Sequence, residues 1–180
     1  VSVDAARELA RAALSDPSRE IRVAIAKGLA TVGAERPAKD APAETDPAAG
    51  AIEAALTGLL DDPDALVRAA AYGALGTTGC PAPLTARAVA ALSETARQVR
   101  AGAATALSVA DPDMAVPALA KALADPHADV REAAVLALTR HRGTEEAGVG
   151  AGHDYDGLRR GCQGVRRAGI VTGPASRPSL

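Results

Sequence analysis

The chain has 180 residues and a net charge of −2; 48% of its residues are apolar and 23% are charged. That is one domain or two, too apolar and too weakly charged to be wholly disordered, and too near neutral to bind polyanions at large. No run approaches the roughly 18 consecutive apolar residues that cross a bilayer, and no basic-then-apolar leader opens the chain.

Trp and Phe are absent, Tyr72 and Tyr155 are the only aromatic residues, and 46 residues are alanine. Cys80 and Cys162 are too few and too far apart for a disulfide framework or a CxxC pair, which predicts a reducing, cytoplasmic setting. The sequence opens on Val1 rather than Met, so the native start is expected to lie upstream.

In chain order, one pattern recurs four times: LSDPSREIRVAIAKGLATVG from Leu14, LLDDPDALVRAAAYGALGTTG from Leu59, LSETARQVRAGAATALSVAD from Leu92 and LADPHADVREAAVLALTRHRG from Leu123. The copies align on Arg22, Arg68, Arg100 and Arg131. One residue earlier stands Ile21, Val67, Val99 or Val130. Six earlier stands an acid, Asp16, Asp62, Glu94 or Asp125, and eight earlier Leu14, Leu60, Leu92 or Leu123. Seven later stands Leu29, Leu75, Leu107 or Leu138. Internal repeats of this kind predict a stacked architecture.

Each copy reads as two helices. Val3–Leu14 is the first helix of unit one. Residues 34–50, AERPAKDAPAETDPAAG, hold Pro37, Pro42 and Pro47 and predict a polar, non-helical insert. Ala51–Leu60 and Met114–Leu123 have the apolar spacing of first helices. The second helices repeat apolar or small residues at offsets −1, +2, +3, +6, +7 and +10 from the Arg, which form one face; in unit two these are Val67, Ala70, Ala71, Ala74, Leu75 and Thr78. Asp16-Pro17, Asp62-Pro63 and Asp125-Pro126 suit the turn into a second helix. Gly33 and Gly79 suit left-handed helix stops, and Cys80-Pro81-Ala82-Pro83 reads as the turn after unit two. Alanine favours helix and lets helices approach closely. One such pair buries too little surface alone, so four must share an elongated core, with modest stability and fraying ends.

The string acid-Pro-x-x-x-Val-Arg-x-x-Ala-x-x-x-Leu, at a spacing of 31 to 32 residues, resembles the short HEAT repeat of the bilin-lyase (E–Z) type. Asp62-Pro63…Val67-Arg68…Leu75 and Asp125-Pro126…Val130-Arg131…Leu138 are its best copies, and the resemblance covers Val3 to Arg142. Unit three departs from it at Glu94-Thr95 and at Gly102, and is expected to be looser. The resemblance implies that Asp16, Asp62, Glu94 and Asp125 form a structural ladder with Arg22, Arg68, Arg100 and Arg131. The arginines would then be buried pairing residues turned inward against the preceding layer. It also implies several roles for such a chain, since the class includes adaptors, lyase subunits and modules appended to enzymes.

Offsets +1, +5 and +8 are expected to line a concave surface: Val23, Lys27 and Ala30; Ala69, Gly73 and Gly76; Ala101, Thr105 and Ser108; Glu132, Leu136 and Thr139. That row has neither the cations of a nucleic-acid groove nor stacking aromatics, and it suits a protein segment better. Lys27, Thr105, Glu132 and Leu136 are the candidate contacts. No catalytic residue, cofactor or metal is assigned. His127 reads as an exposed residue at a helix start, and His141 as a complement to the dipole at the end of its own helix. His153-Asp154-Tyr155-Asp156 holds possible metal ligands in a Gly-rich segment that does not fix their geometry. No nucleotide-binding or hydrolase motif is present, and two cysteines are too few for an iron–sulfur cluster.

Residues 143–180 hold nine glycines, and from Arg142 onward six arginines stand against four acids. Three readings stay open: a disordered tail, a basic arm for RNA or an acidic partner, or a shifted reading frame in a GC-rich gene. The missing start and the missing capping unit fit a fragment. The expected molecule is an all-α solenoid of four helix pairs over residues 1–142, cytoplasmic, of open oligomeric state, that binds a protein and neither nucleic acid nor membrane. The alternative is a HEAT segment or auxiliary subunit of a larger enzyme, bilin-lyase-like or redox.

Overall fold

The structure is a computed structural model and describes residues 8, 9, 11, 12, 15–34 and 47–146. Among the described residues seven helices follow one another: α1 (Arg19–Ala34), α2 (Pro47–Leu59), α3 (Ala65–Thr78), α4 (Ala82–Ala91), α5 (Arg97–Leu107), α6 (Pro112–Ala122) and α7 (Ala128–Glu146). Residues 8, 9, 11, 12 and 15 are also helical; the rest of the predicted Val3–Leu14 helix lies outside the described residues. The second helices α1, α3, α5 and α7 lie side by side in that order, and α2, α4 and α6 each pack on the second helix of their own unit. The fold is an all-α solenoid.

The columns explain the packing. Val67, Val99 and Val130, one residue before the arginines, are fully buried, and so are Leu29, Leu75 and Leu107 seven residues after. Leu138 is half-buried, at the last described helix. One continuous core runs from Ile25 to Ala137, so no unit encloses a core of its own. Ile21 breaks its column at 47% exposed, because among the described residues α1 has no second helix of a preceding unit beside it.

Several boundaries differ from the sequence reading. The insert is helical at both described ends: α1 reaches Ala34 and α2 includes Pro47. Residues 35–46 lie outside the described residues. Ala82 and Pro83 form the first turn of α4, where a proline costs no helical bond, and not a turn before it. Helix α7 carries residues 143–146 onward from Arg142; residues 147–180 lie outside the description. Gly79 does take a positive φ, 113°, with its N–H on the Leu75 carbonyl at 3.0 Å, but its ψ of 149° is not the left-handed helical value.

Gly33, expected as a helix stop, lies inside α1, where a Cβ would strike the Thr78 side chain of α3. Gly76, expected on an open surface, is buried; a Cβ there would stand 2.8 Å from the Thr105 carbonyl oxygen of α5. Gly102 does not loosen unit three. A Cβ on it would stand 2.6 Å from the Ala69 carbonyl oxygen of α3, so its hydrogen lets the two backbones close together. Gly73, in the same stack, has nothing within 4 Å of that position.

This contrast gives a signed prediction. Gly102→Ala should destabilise by about 1–3 kcal/mol despite alanine's helix preference, because backbone must move. Gly73→Ala should stabilise by about 0.5–1 kcal/mol. Urea unfolding followed by far-ultraviolet circular dichroism measures both, and equal signs would contradict the packing described.

Candidate functional site

The four arginines occupy one repeated geometry. Arg22 Nη1 donates to the carbonyls of Asp16 (2.9 Å) and Pro17 (3.3 Å) in its own turn. Arg68 Nη1 does so to Asp62 (2.9 Å) and Pro63 (3.2 Å), Arg100 Nη1 to Glu94 (2.8 Å) and Thr95 (3.0 Å), and Arg131 Nη1 to Asp125 (2.8 Å) and Pro126 (3.1 Å). The other side of the fork reaches the acid of the next unit. Arg22 meets Asp62 through Nε (2.7 Å) and Nη2 (3.0 Å), and Arg100 meets Asp125 at the same two distances. The arginines therefore join the following layer, not the preceding one.

Asp is the better acid here for a second reason. Asp16, Asp62 and Asp125 each accept, through Oδ1, the amide two residues on, at Ser18 (2.8 Å), Asp64 (2.8 Å) and His127 (2.9 Å). This closes the turn into the second helix. Glu94 is one methylene longer. It accepts Arg68 Nη2 alone (2.8 Å) and bonds no amide of its own turn. Its pair is also wetter: the side chains of Arg68 and Glu94 are 19% and 33% exposed, against 10% and 9% for Arg100 and Asp125. Unit three departs from the pattern at this pair. The Arg100 guanidinium, with the His127 amide and against the opposing effect of burial, holds Asp125 at about 2. Burial alone would push Asp62 up, but Arg22 and the Asp64 amide outweigh it and keep that carboxyl below its usual range. Arg131 departs from the expected burial; it is exposed, and among the described residues no carboxylate meets its fork.

Three of the four candidate contacts converge. Thr105 on α5 and Glu132 and Leu136 on α7 line one groove of about 330 Å³, with Ser108, Asp129, Ala133, Ala137 and Arg140. Lys27 is exposed on α1, two second helices away, and is not part of it. Asp129 and Arg140 escaped the sequence reading, although Asp129, Glu132, Leu136 and Arg140 follow a three-and-four helical spacing that places them on one face. Leu136 is 65% exposed, and Arg97 approaches Asp129 at 3.5 Å.

Residues 85–148 match the family model for HEAT repeats. The match spans nearly all of α4 through α7, and so takes in the groove, the Arg100–Asp125 pair and the exposed Arg131. No curated protein matches the chain.

His141, His127 and Cys80 are each held by the fold. His141 is buried and its Nε2 donates to the Leu107 carbonyl (2.7 Å), so it caps the end of α5 rather than of its own helix. His127 is exposed, and its Nδ1 accepts from Arg100 Nη2 at 3.0 Å, since a guanidinium only donates. Cys80 is buried, which pushes its thiol up, away from the reactive thiolate. Among the described residues no cluster of three or more His, Cys, Asp or Glu could hold a metal, and no helix is long and apolar enough to cross a membrane. His153, Asp154, Tyr155, Asp156 and Cys162 lie outside the description.

A depressed carboxylate stabilises the fold above its unfolded pKa, and that contribution is lost as pH falls through the folded value. Asp125→Asn should therefore cost roughly 1–2 kcal/mol at pH 7, after allowance for solvent screening. The gap to wild type should narrow from about pH 5 downward and close near pH 2. Urea unfolding across that range tests it; a gap independent of pH contradicts the pairing.

Proposed function

We propose that the chain is a non-catalytic, cytoplasmic protein-interaction module, and that the groove between α5 and α7 takes a segment of a partner protein. The observation that carries this reading is Leu136, a large apolar side chain left 65% exposed in a groove it lines with small residues (Thr105, Ser108, Ala133 and Ala137) and three charged ones. A folded chain retains such a side chain at little cost where a partner covers it, and anchors of this kind supply much of an interface's energy. Asp129 and Glu132 lie toward one end of the α7 side and Arg140 toward the other, so the segment binds in one direction, its basic group toward the acids. The match to HEAT repeats agrees, since that repeat commonly serves protein interaction. The 31- and 32-residue spacing and the Asp-Pro-x-x-x-Val-Arg string further support the short, bilin-lyase-like type of the repeat. Neither nucleic acid, membrane nor cofactor takes part in this reading.

The test places a photo-crosslinking residue at position 136 of the full chain in its source cell, and at Met114 on α6, also exposed, as reference. One protein should crosslink from 136 and not from 114. Leu136→Asp should weaken that complex by about ten- to a hundredfold and shift folding stability by less than about 0.5 kcal/mol. Equal crosslinking from the two positions would sink the reading.

A further inference from the structure

Two described faces of the stack are incomplete, and each has what the other lacks. On α7, Arg131 holds the pose of the other three arginines, anchored to the Asp125 and Pro126 carbonyls at 2.8 and 3.1 Å. Its remaining N–H groups meet no carboxylate among the described residues. Four residues on, Val135 is 50% exposed, whereas Ala26, Tyr72 and Ala104 at that place in α1, α3 and α5 are buried under the next unit.

At the other face, Asp16 closes its turn onto the Ser18 amide at 2.8 Å, as Asp62 and Asp125 do onto theirs. No guanidinium reaches its carboxylate among the described residues, while Asp62 and Asp125 each receive two bonds from one. Ile21 beside it is exposed where Val67, Val99 and Val130 are fully buried.

We propose that a second copy of this chain completes both faces: Arg131 of one copy forks onto the Asp16 turn of the next, and the Ile21 and Val135 faces close on each other. The contact would continue the stack by the bond that already joins units one to two and three to four. Charge complementarity selects the occupant. The exposed fork matches an acid presented on the turn into a second helix, and Asp16 presents one in the geometry of Asp62 and Asp125. The two surfaces differ, so the interface is heterologous, and association proceeds to open chains or rings rather than stopping at a dimer. The groove at Leu136 lies on another face of α7 and is independent of it.

The test is sedimentation velocity on the full 180-residue chain over a wide concentration range. Wild type should grow past the dimer with concentration and shrink back as salt rises, because the pair is screened. Arg131→Glu, which removes one face, and Asp16→Asn, which keeps the turn acceptor but loses the charge, should each weaken association by roughly tenfold or more. Both should keep the wild-type circular dichroism, and at concentrations where wild type is monomeric Asp16→Asn should keep its melting as well, while Arg131→Glu, which also gives up its bonds to the Asp125 and Pro126 carbonyls, should melt somewhat lower. An equimolar mixture of the two variants retains one competent face on each copy and should form a heterodimer that grows no further. Leu136→Asp should associate as wild type, which separates this result from that of the groove. The proposal is overturned if wild type stays monomeric at every concentration, as it would were residues 147–180 or a different protein to cover α7. Association of Arg131→Glu at wild-type strength, or a variant mixture that stays monomeric, overturns it equally.

Discussion

The guanidinium groups of Arg22, Arg68 and Arg100 each make bonds in two units at once, and the order of the stack rests on that. Nη1 ties down carbonyls at the turn of its own unit, while Nε and Nη2 reach the acid that closes the next. Only arginine can do both, because its donors are spread over a rigid plane; a lysine ammonium would reach one turn or the other. The free energy of such a pair is small once desolvation is counted. Its effect is on register: a unit slipped along the stack would leave a buried carboxylate and a buried fork without partners, and that cost exceeds the gain of the bond.

Register would be of little use if the helices stood too far apart for the fork to span. The alanine-rich composition sets that distance. Between α3 and α5 the backbones come so close that Gly102 and Gly76 have no room for a Cβ against the carbonyls of Ala69 and Thr105. The core beneath is assembled mainly from Leu, Ile, Val and Ala, and among the described residues Tyr72 is its one aromatic side chain. Close backbone approach therefore replaces the bulk that larger side chains supply elsewhere, and close packing recovers the dispersion energy that those side chains would have given.

Periodicity made the fold legible. The −1 and +7 columns face inward because three-and-four spacing places them there, and the anchoring arginine was visible as a residue type that recurs with an acid six positions before it. Periodicity fixes a direction about one helix axis, not which neighbour a side chain meets. Hence the arginines were assigned to the wrong layer, and Gly76 and Gly102 to an open surface and a loose unit, although both sit at helix crossings. Pro83 reads as a turn residue in the sequence yet stands in the first turn of α4, where proline is tolerated. At the candidate site, Thr105, Glu132 and Leu136 were visible as offsets on one face. Lys27 shared the offset but not the place, since equivalent positions in different units lie a helix or more apart.

The same repetition leaves little side-chain surface between units. Where two second helices meet, small residues fill the crossing, and little side-chain surface remains for a partner to read: Ala69, Ala101 and Gly76 are half-buried or buried. Helix α7 lacks a following second helix among the described residues, and Val135 is exposed there where Ala26, Tyr72 and Ala104 of its column are buried. Leu136 stands instead in a column, with Lys27, Gly73 and Thr105, that no described unit buries. The open side of α7 therefore accounts for Val135 but not for Leu136, which faces the groove shared with α5 whether or not another helix follows.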